Sequence, residues 1–86
     1  MGRARIERPE KLATKLREIR RSLGLSQNGM INALGMTESL TQAEVSAFEQ
    51  AKRLPPLLVL LRYARTFEIH VDDLIDDDID IADHAM

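Results

Sequence analysis

The stretch from Ser26 to Pro55 carries start and stop signals for two short helices, and it constrains the fold more than any other part of the chain. Ser26 suits a helix start because its hydroxyl can accept a hydrogen bond from a free N–H group there. Gly35 suits the end of that helix because glycine adopts the left-handed backbone conformation easily. Thr41 and Glu44 have the spacing of a capping box that begins the second helix. The pattern predicts two helices joined by an irregular turn.

The apolar residues of this stretch fall on one side of each predicted helix. Met30, Ile31 and Leu34 belong to the first helix, and Val45 and Phe48 to the second. The second helix leaves small and amide side chains for its other faces: Gln42, Ala43, Ser46, Ala47 and Gln50. Glutamine can bind the adenine edge with two hydrogen bonds, and small neighbours let a helix approach the bases closely. The second helix, about residues 42–50, therefore has a surface suited to a DNA major groove.

A helical pattern also precedes this stretch, from Pro9 or Glu10 to Leu23, and Gly24 ends it. Its apolar residues recur at i, i+4, i+7 and i+11 and form one stripe: Leu12, Leu16, Ile19 and Leu23. Its basic residues off that stripe are expected to be mostly solvated: Lys11, Lys15, Arg17 and Arg21. We call this pattern predicted helix 1, and the two helices described above predicted helices 2 and 3.

Two further helices are predicted after Pro55-Pro56. Predicted helix 4 runs from Leu57 to about Phe67, and predicted helix 5 from Val71 to Ile75, with His70 or Asp72 as its cap. The expected core face of predicted helix 4 consists of Leu57, Leu60, Leu61, Ala64 and Phe67. Leu58 is then surplus, and an extra apolar residue on a small domain indicates a partner surface.

The charges are separated along the chain although the net charge is only −2. Residues 1–26 carry eight basic and three acidic side chains, and residues 71–86 carry seven Asp with no Lys or Arg. Local charge matters most to a phosphate, because salt confines the field to about 10 Å. Eighty-six residues allow one domain. We expect a flexible basic arm at 1–8, a folded domain at 9–75 and an acidic tail at 76–86.

Composition argues against several classes of function. The chain has no Cys, so disulfides, thiolate metal sites and Cys nucleophiles are excluded. The longest apolar run, Leu57–Leu61, is too short to span a bilayer. No Gly-rich phosphate loop, paired His or nucleophile–base set is visible, which argues against an enzyme. We predict no cofactor and no metal site, and the acidic tail lacks the spacing of a Ca²⁺ loop.

Three segments in order resemble the helix-turn-helix domain of the lambda-repressor-like, XRE-type transcription regulators of bacteria and phages. They are LREIRRSLGLSQNGM, LTQAEVSAFEQAKRLPP and LLRYARTFEIHVDDLI. The resemblance covers roughly Leu12 to Ile75 and depends on the combination of segments rather than on a single motif. It implies an all-α, five-helix lambda-repressor-like domain in which predicted helices 2 and 3 form the helix-turn-helix.

The resemblance and the residue pattern together give a set of expected site residues. Base contacts are expected from Gln42, Ala43, Glu44 and Ala47, although Glu44 has the alternative of completing the capping box alone. Phosphate contacts are expected from Gln27, Asn28, Ser46, Gln50, Lys52 and Arg53, and solvated loop charges are the alternative for the last two. The resemblance implies a structural salt bridge between Arg20 and Glu49. It also implies that Gln27 helps to order the recognition helix.

The sequence departs from the family pattern at four places. Ile31 stands where a small residue is usual, and residues 36–39 lengthen the turn after Gly35, either as loop or as one turn of helix. Ala51 and Glu68 stand where the family commonly has Gly. If the backbone at Ala51 requires positive φ, that residue is strained.

The sequence therefore predicts a repressor that binds double-stranded DNA as a homodimer in the cytoplasm and nucleoid of a bacterium. The alternative is a protein-interaction module or an antitoxin-like protein on the same fold, which would bind a protein partner through predicted helix 4 or the acidic tail. A continuous positive face over predicted helices 2 and 3 would favour DNA. A membrane partner is not expected.

Overall fold

The computed structural model describes residues 10–78, which form five α-helices and no strand. The helices are α1 (Leu12–Ser22), α2 (Gln27–Leu34), α3 (Gln42–Glu49), α4 (Leu57–Phe67) and α5 (Val71–Ile75). This architecture confirms the predicted all-α, five-helix class. The expected arm at 1–8 and the tail beyond residue 78 lie outside the described residues.

One apolar core holds the five helices together. Its members come from every helix and from the turn between α2 and α3: Leu12, Leu16, Ile19, Met30, Ile31, Leu34, Leu40, Val45, Phe48, Val59, Leu60, Tyr63 and Leu74. α3 packs against both α1 and α2, and α5 packs against α1 and α4. Because α3 is held by two neighbours, its remaining faces point to solvent in a fixed orientation. Ile31 is accommodated in this core and is 4% exposed.

The ends of α2 and α3 follow local rules. The Ser26 hydroxyl accepts a hydrogen bond from the Gly29 N–H at 2.9 Å, and Gly35 closes α2 at φ 69°. Thr41 and Glu44 form the complete capping box of α3. Between them, the N–H groups of Ser39 and Leu40 both donate to the Met36 carbonyl at 3.0 Å. The lengthened turn is therefore one helical turn and not an open loop.

Two side chains tie the start of α1 to the C-terminal end of α5 and the residues that follow it. Lys15 is 3% exposed, and its Nζ donates to the carbonyls of Asp73 and Asp76, each at 2.7 Å. The Asp77 carboxylate accepts from the N–H groups of Glu10 at 2.9 Å and Lys11 at 3.0 Å. We call these four hydrogen bonds the end clamp. The expectation that Lys15 is solvated is wrong, because its ammonium satisfies carbonyls at the C-terminus of α5.

The predicted ends of helix 1 and part of its stripe also need correction. α1 begins at Leu12, and not at Pro9 or Glu10, and it ends at Ser22. The Asp77 carboxylate accepts hydrogen bonds from the N–H groups of Glu10 and Lys11, the two residues before α1. A capped turn therefore stands where the prediction had helix. Leu23 is 48% exposed, because it follows the last helical turn and lies beyond the core.

The buried face of α4 differs from the one predicted. Leu57 is 72% exposed, whereas Val59 and Tyr63 are buried at 4% and 0%. The core face follows i, i+1, i+4 and i+5 from Val59, so the first residue of the helix points to solvent. Leu60 and Ala64 are buried as predicted, and Leu61 and Phe67 are half-buried. Leu58, which was surplus in the prediction, is 70% exposed.

Candidate nucleic-acid interface

A buried ion pair joins α1 to the end of α3. Arg20 Nε lies 2.8 Å from Glu49 Oε2, and Arg20 Nη2 donates to Glu49 Oε1 at 2.9 Å. Glu49 is 2% exposed, and the guanidinium also donates to the Leu25 carbonyl at 2.9 Å. The hydrogen bonds to Glu49 raise the pKa of Arg20 above its ordinary value. This bidentate geometry fixes both side chains, because the planar guanidinium matches a carboxylate.

The ion pair continues outward as a chain of amide hydrogen bonds. Glu49 Oε1 accepts from Gln27 Nε2 at 3.2 Å, and Gln27 Oε1 accepts from Gln42 Nε2 at 2.8 Å. We call the series Arg20, Glu49, Gln27 and Gln42 the amide relay. It runs from a buried carboxylate to an exposed side chain at the first residue of α3. The relay therefore positions the Gln42 amide relative to the core and to the start of α2.

The exposed face of α3 consists of small and amide side chains. Neither α2 nor α3 contains Lys or Arg, so these two helices do not themselves form the continuous positive face that would favour DNA. Gln42, Ser46 and Gln50 lie on one stripe at spacings of four residues, and Gln50 Nε2 donates to Ser46 Oγ at 2.7 Å. Gln42, Ala43 and Gln50 are exposed, while Ser46 and Ala47 are half-buried. The structure thus brings three of the expected base-contact residues onto the same face as two residues that we expected at phosphates.

Glu44 is engaged in the capping box of its own helix. Its Oε1 accepts from the Thr41 N–H at 2.9 Å, and its Oε2 lies 3.6 Å from an Arg53 nitrogen. The hydrogen bonds from Thr41 lower the pKa of the Glu44 carboxyl. Glu44 therefore has a structural role that is complete without DNA.

The remaining expected phosphate contacts lie at two edges of α3. Asn28 is exposed and Gln27 half-buried in the first turn of α2, where the helix dipole favours an anion. Lys52 and Arg53 are exposed in the loop after α3, and the Arg53 side chain is 59% exposed. Within residues 10–78, no group of three His, Asp or Glu side chains could hold a metal ion.

Sequence reasoning missed several side chains that hold the interface in place. Arg17 Nη2 donates to the Glu49 carbonyl at 2.9 Å, and Arg62 Nη1 donates to the Leu34 carbonyl at 2.9 Å. Each arginine thereby satisfies a carbonyl in the last turn of α3 or α2. Their partners lie 32 and 28 residues away in the chain, so no local pattern could have indicated the contacts.

The fold has five packed helices, in which α2, a turn and the capped helix α3 follow one another. This arrangement defines the class of small DNA-binding domains with a helix-turn-helix. The family model described as Helix-turn-helix matches residues 16–74, well over half of the chain. The chain therefore belongs to the XRE-type helix-turn-helix family of DNA-binding regulators. No curated protein and no solved structure matches it in the same comparisons. No helix within residues 10–78 is long and apolar enough to cross a membrane.

Proposed function

We propose that this protein is a sequence-specific repressor that binds operator DNA as a homodimer and inserts α3 into the major groove. The amide relay is the observation that carries the proposal. A side chain that reads a base must be held in position before DNA arrives, because ordering a free side chain on binding reduces affinity. The relay holds Gln42 in this way at the exposed start of α3.

The relay leaves Gln42 with the groups that an adenine edge requires. One of its two amide hydrogens is donated to Gln27, so one hydrogen and the carbonyl oxygen remain available. Adenine presents N7 as an acceptor and the N6 amino group as a donor in the major groove. Ala43 and Ala47 flank this amide and have no side chain that would hold α3 away from the bases. We therefore assign Gln42 as the leading base reader.

Phosphate contacts are assigned to the two edges of α3. Gln27 and Asn28 would approach one strand from the start of α2, and Lys52 and Arg53 would approach phosphates from the loop after α3. Ser46 and Gln50 share the stripe of Gln42, so we assign them contacts to bases as well as to phosphates. Cations that neutralise phosphates release counterions, so affinity should fall as salt rises.

The proposal is tested by selecting from a random pool of duplex DNA at physiological salt and sequencing the retained molecules. A dimer with one α3 per half-site should enrich a palindrome with half-sites about one helical turn, roughly 34 Å, apart. Retention that disappears at physiological salt, with no enriched sequence, would contradict specific recognition.

Gln42→Ala should weaken binding to the selected operator by about 1–3 kcal/mol and relax the preference at one base pair. The physical reason is the loss of a bidentate contact together with the relay's last hydrogen bond. Asn32→Ala is the matched control, because Asn32 is an exposed amide on α2 that has no assigned contact. Equal operator affinity for wild type and Gln42→Ala would show that Gln42 is not the leading reader.

We assign the dimer contact to Leu57 and Leu58, which we call the leucine pair. These residues are 72% and 70% exposed in the first turn of α4, close in sequence to the end of the recognition helix. Leu57→Lys with Leu58→Lys should convert a dimer to a monomer in sedimentation experiments and reduce operator affinity, while the thermal transition persists. Thr14→Lys with Thr66→Lys adds the same charge at exposed positions and should leave the dimer intact. A dimer that survives the leucine substitutions would place the contact elsewhere.

The leucine pair is also the observation that favours the second candidate, a protein-interaction module. An exposed apolar pair on a small domain could bind another protein, as in an antitoxin-like complex, and the fold alone does not decide between the two. The selection experiment separates them, since a protein-interaction module would enrich no operator. We also propose that the protein, as a repressor, acts in the cytoplasm of a bacterium.

A further inference from the structure

The amide relay contains two glutamines, and a hydrogen bond between two amides can run in either direction. Each amide has a nitrogen that donates and an oxygen that only accepts, and the two atoms exchange places when the group makes half a turn. In the structure Gln42 Nε2 donates to Gln27 Oε1 at 2.8 Å. The crossing of α2 and α3 brings the two side chains together, but it does not by itself select this direction.

The direction is set at the buried end of the relay, by the Glu49 carboxylate. Its oxygens accept from Arg20 Nε at 2.8 Å and from Arg20 Nη2 at 2.9 Å, so neither oxygen carries a proton and both can only accept. Gln27 Nε2 lies 3.2 Å from Glu49 Oε1. Half a turn of the Gln27 amide would place its oxygen against a carboxylate oxygen, and the two acceptors would repel. Glu49 therefore holds the nitrogen of Gln27 inward and its oxygen outward.

The orientation of Gln27 determines that of Gln42. Because an oxygen of Gln27 faces Gln42, Gln42 has to present its nitrogen there. It keeps one hydrogen and its carbonyl oxygen, which match N7 and the N6 amino group of adenine. In the opposite direction the Gln42 oxygen would accept from Gln27, and both hydrogens of its Nε2 would be free. That arrangement suits guanine, which presents two acceptors, N7 and O6, in the major groove.

We propose that Glu49 is a positioning residue that makes Gln42 prefer adenine to guanine. Glu49 is 2% exposed, so it acts on the base only through Gln27 and Gln42. Its charge, rather than its shape, is the property that matters, because an amide of the same size would permit both directions. The choice of base rests on the proposed function, whereas the direction of the relay does not.

The direction of the relay is tested without DNA by NMR, because the scalar coupling across a hydrogen bond joins the donor nitrogen to the carbonyl carbon of the acceptor. Wild type should show a coupling between Gln42 Nε2 and Gln27 Cδ. A wild type with the reverse coupling, between Gln27 Nε2 and Gln42 Cδ, or with neither coupling, would overturn the proposal.

Glu49→Gln tests whether the carboxylate sets the direction. The new amide offers Gln27 a donor as well as an acceptor, so the wild-type coupling should weaken and the reverse coupling should appear. Glu18→Gln makes the same change at an exposed position of α1 and should keep the single wild-type coupling. A Glu49→Gln protein with only the wild-type coupling, at its original size, would contradict the proposal.

Arg20→Met/Glu49→Met keeps this test decisive if Glu49→Gln does not fold. Replacing a buried ion pair by apolar side chains of similar size is often neutral or stabilising, and it leaves no unpaired buried charge. The double variant removes the same carboxylate, so it too should weaken the wild-type coupling. A coupling of unchanged size in the double variant would mean that another group sets the direction.

The choice of base is tested by measuring Kd for the selected operator with adenine or guanine at the position where Gln42→Ala relaxes the preference. Wild type should bind the adenine operator roughly 5- to 150-fold more tightly, the range expected of one bidentate contact. Glu49→Gln should reduce that ratio to about threefold or less, since half-reversed amides also accept guanine. Glu18→Gln should leave the ratio unchanged. An operator with guanine at this position for wild type, or an unchanged ratio in Glu49→Gln, would overturn the assignment.

Gln27→Lys provides a reversal of the base preference. The ammonium has donors only, so it can contact the Glu49 carboxylate and still require Gln42 to present its oxygen. This variant should bind the guanine operator more tightly than the adenine operator, whereas Asn32→Lys adds the same charge to α2 and should keep the preference for adenine. Adenine preference in Gln27→Lys would contradict the proposal. If wild type enriches no operator, the proposed function fails, while the NMR couplings still decide the direction of the relay.

Discussion

Tyr63 is a buried phenol whose hydroxyl makes no hydrogen bond within residues 10–78. Its side chain is fully buried in α4 and packs near the ring of Phe67, with centroids 6.2 Å apart. Burial, together with the nearby Glu49 carboxylate, raises the pKa of the phenol well above its usual range. The ring therefore contributes packing, whereas the hydroxyl loses its hydration on folding and gains no partner there.

We expect Tyr63→Phe to leave the free energy of unfolding unchanged or to raise it by up to about 1 kcal/mol. The raised pKa also makes wild type lose stability as pH rises above about 10, because the unfolded chain releases the phenolic proton first. Tyr63→Phe should lack that alkaline loss. Urea unfolding at pH 7 and at alkaline pH measures both effects. Tyr63→Ala is the control for packing and should cost about 3–5 kcal/mol. A loss above 2 kcal/mol in Tyr63→Phe would mean that the hydroxyl is satisfied.

At the residue scale, the sequence predicted contacts that are local or implied by the family pattern. Thr41 and Glu44 were expected to form a capping box, and the structure contains it, whereas the base contact also expected of Glu44 stays a prediction. Lys15 was expected in solvent because its helical position lies off the apolar stripe. Its partners at Asp73 and Asp76 are 58 and 61 residues away, and helical periodicity has no information about such carbonyls.

At the scale of elements, two helix ends have a residue other than glycine at positive φ, a backbone conformation that is unfavourable for a residue with a Cβ atom. Ala51 follows α3 at φ 59°, and Glu68 ends α4 at φ 58°. Positive φ costs a residue with a Cβ roughly 1–2 kcal/mol relative to the ordinary helical region. The sequence predicted strain at Ala51 on the condition that φ is positive there, and the structure fulfils that condition.

Ala51→Gly should raise the free energy of unfolding by about 1 kcal/mol, because glycine adopts this φ without a steric penalty. Ala33→Gly is the matched control: Ala33 is exposed within α2, and glycine there should cost about 1 kcal/mol. Urea unfolding of the three proteins measures both changes. Equal losses in the two variants would show that the backbone at Ala51 relaxes at no cost.

The ends of α2 and α3 were easier to predict than the ends of α1 or the buried face of α4. Ser26 before α2 and Gly35 after it act on backbone groups within four residues. The local sequence therefore contains all the information needed to predict these helix ends. The buried face of α4 depends on how α2 and α5 are placed against it. Five apolar residues in a row after Pro56 permit several faces, and only packing selects the one with Val59 and Tyr63. The order of the relay, with Gln42 donating to Gln27, likewise depends on how α2 and α3 cross.

At the scale of the whole molecule, the end clamp closes the chain on itself. Asp77 and the first described residues are joined by two hydrogen bonds, and Lys15, in the first turn of α1, donates to the carbonyls of Asp73 and Asp76. The two backbone N–H groups lower the pKa of the Asp77 carboxyl. The clamp is therefore fully formed above the ordinary Asp pKa of about 4, and it weakens as pH falls below that value.

We expect the amide resonances of Glu10 and Lys11 to move together as pH falls below the ordinary Asp pKa of about 4, which reports protonation of Asp77. In Asp77→Asn this step should be absent, and the first turn of α1 should show faster hydrogen exchange at neutral pH because an amide has one acceptor atom fewer. The Thr41 amide, which reports Glu44, is an internal control that should titrate in both proteins. A step at Glu10 that persists in Asp77→Asn would assign it to another group.

The amide relay has a consequence for how the proposed regulator could diverge. Gln42 holds its orientation through Gln27, so replacing Gln42 alone leaves an amide without its partner as well as changing the reading surface. If Gln42 reads the operator as proposed, a lineage that changes Gln42 also removes the hydrogen bond that Gln42 donates to Gln27 in α2. Operator preference would then depend on two residues together, and under the proposed function gene duplicates should change Gln27 and Gln42 as a pair.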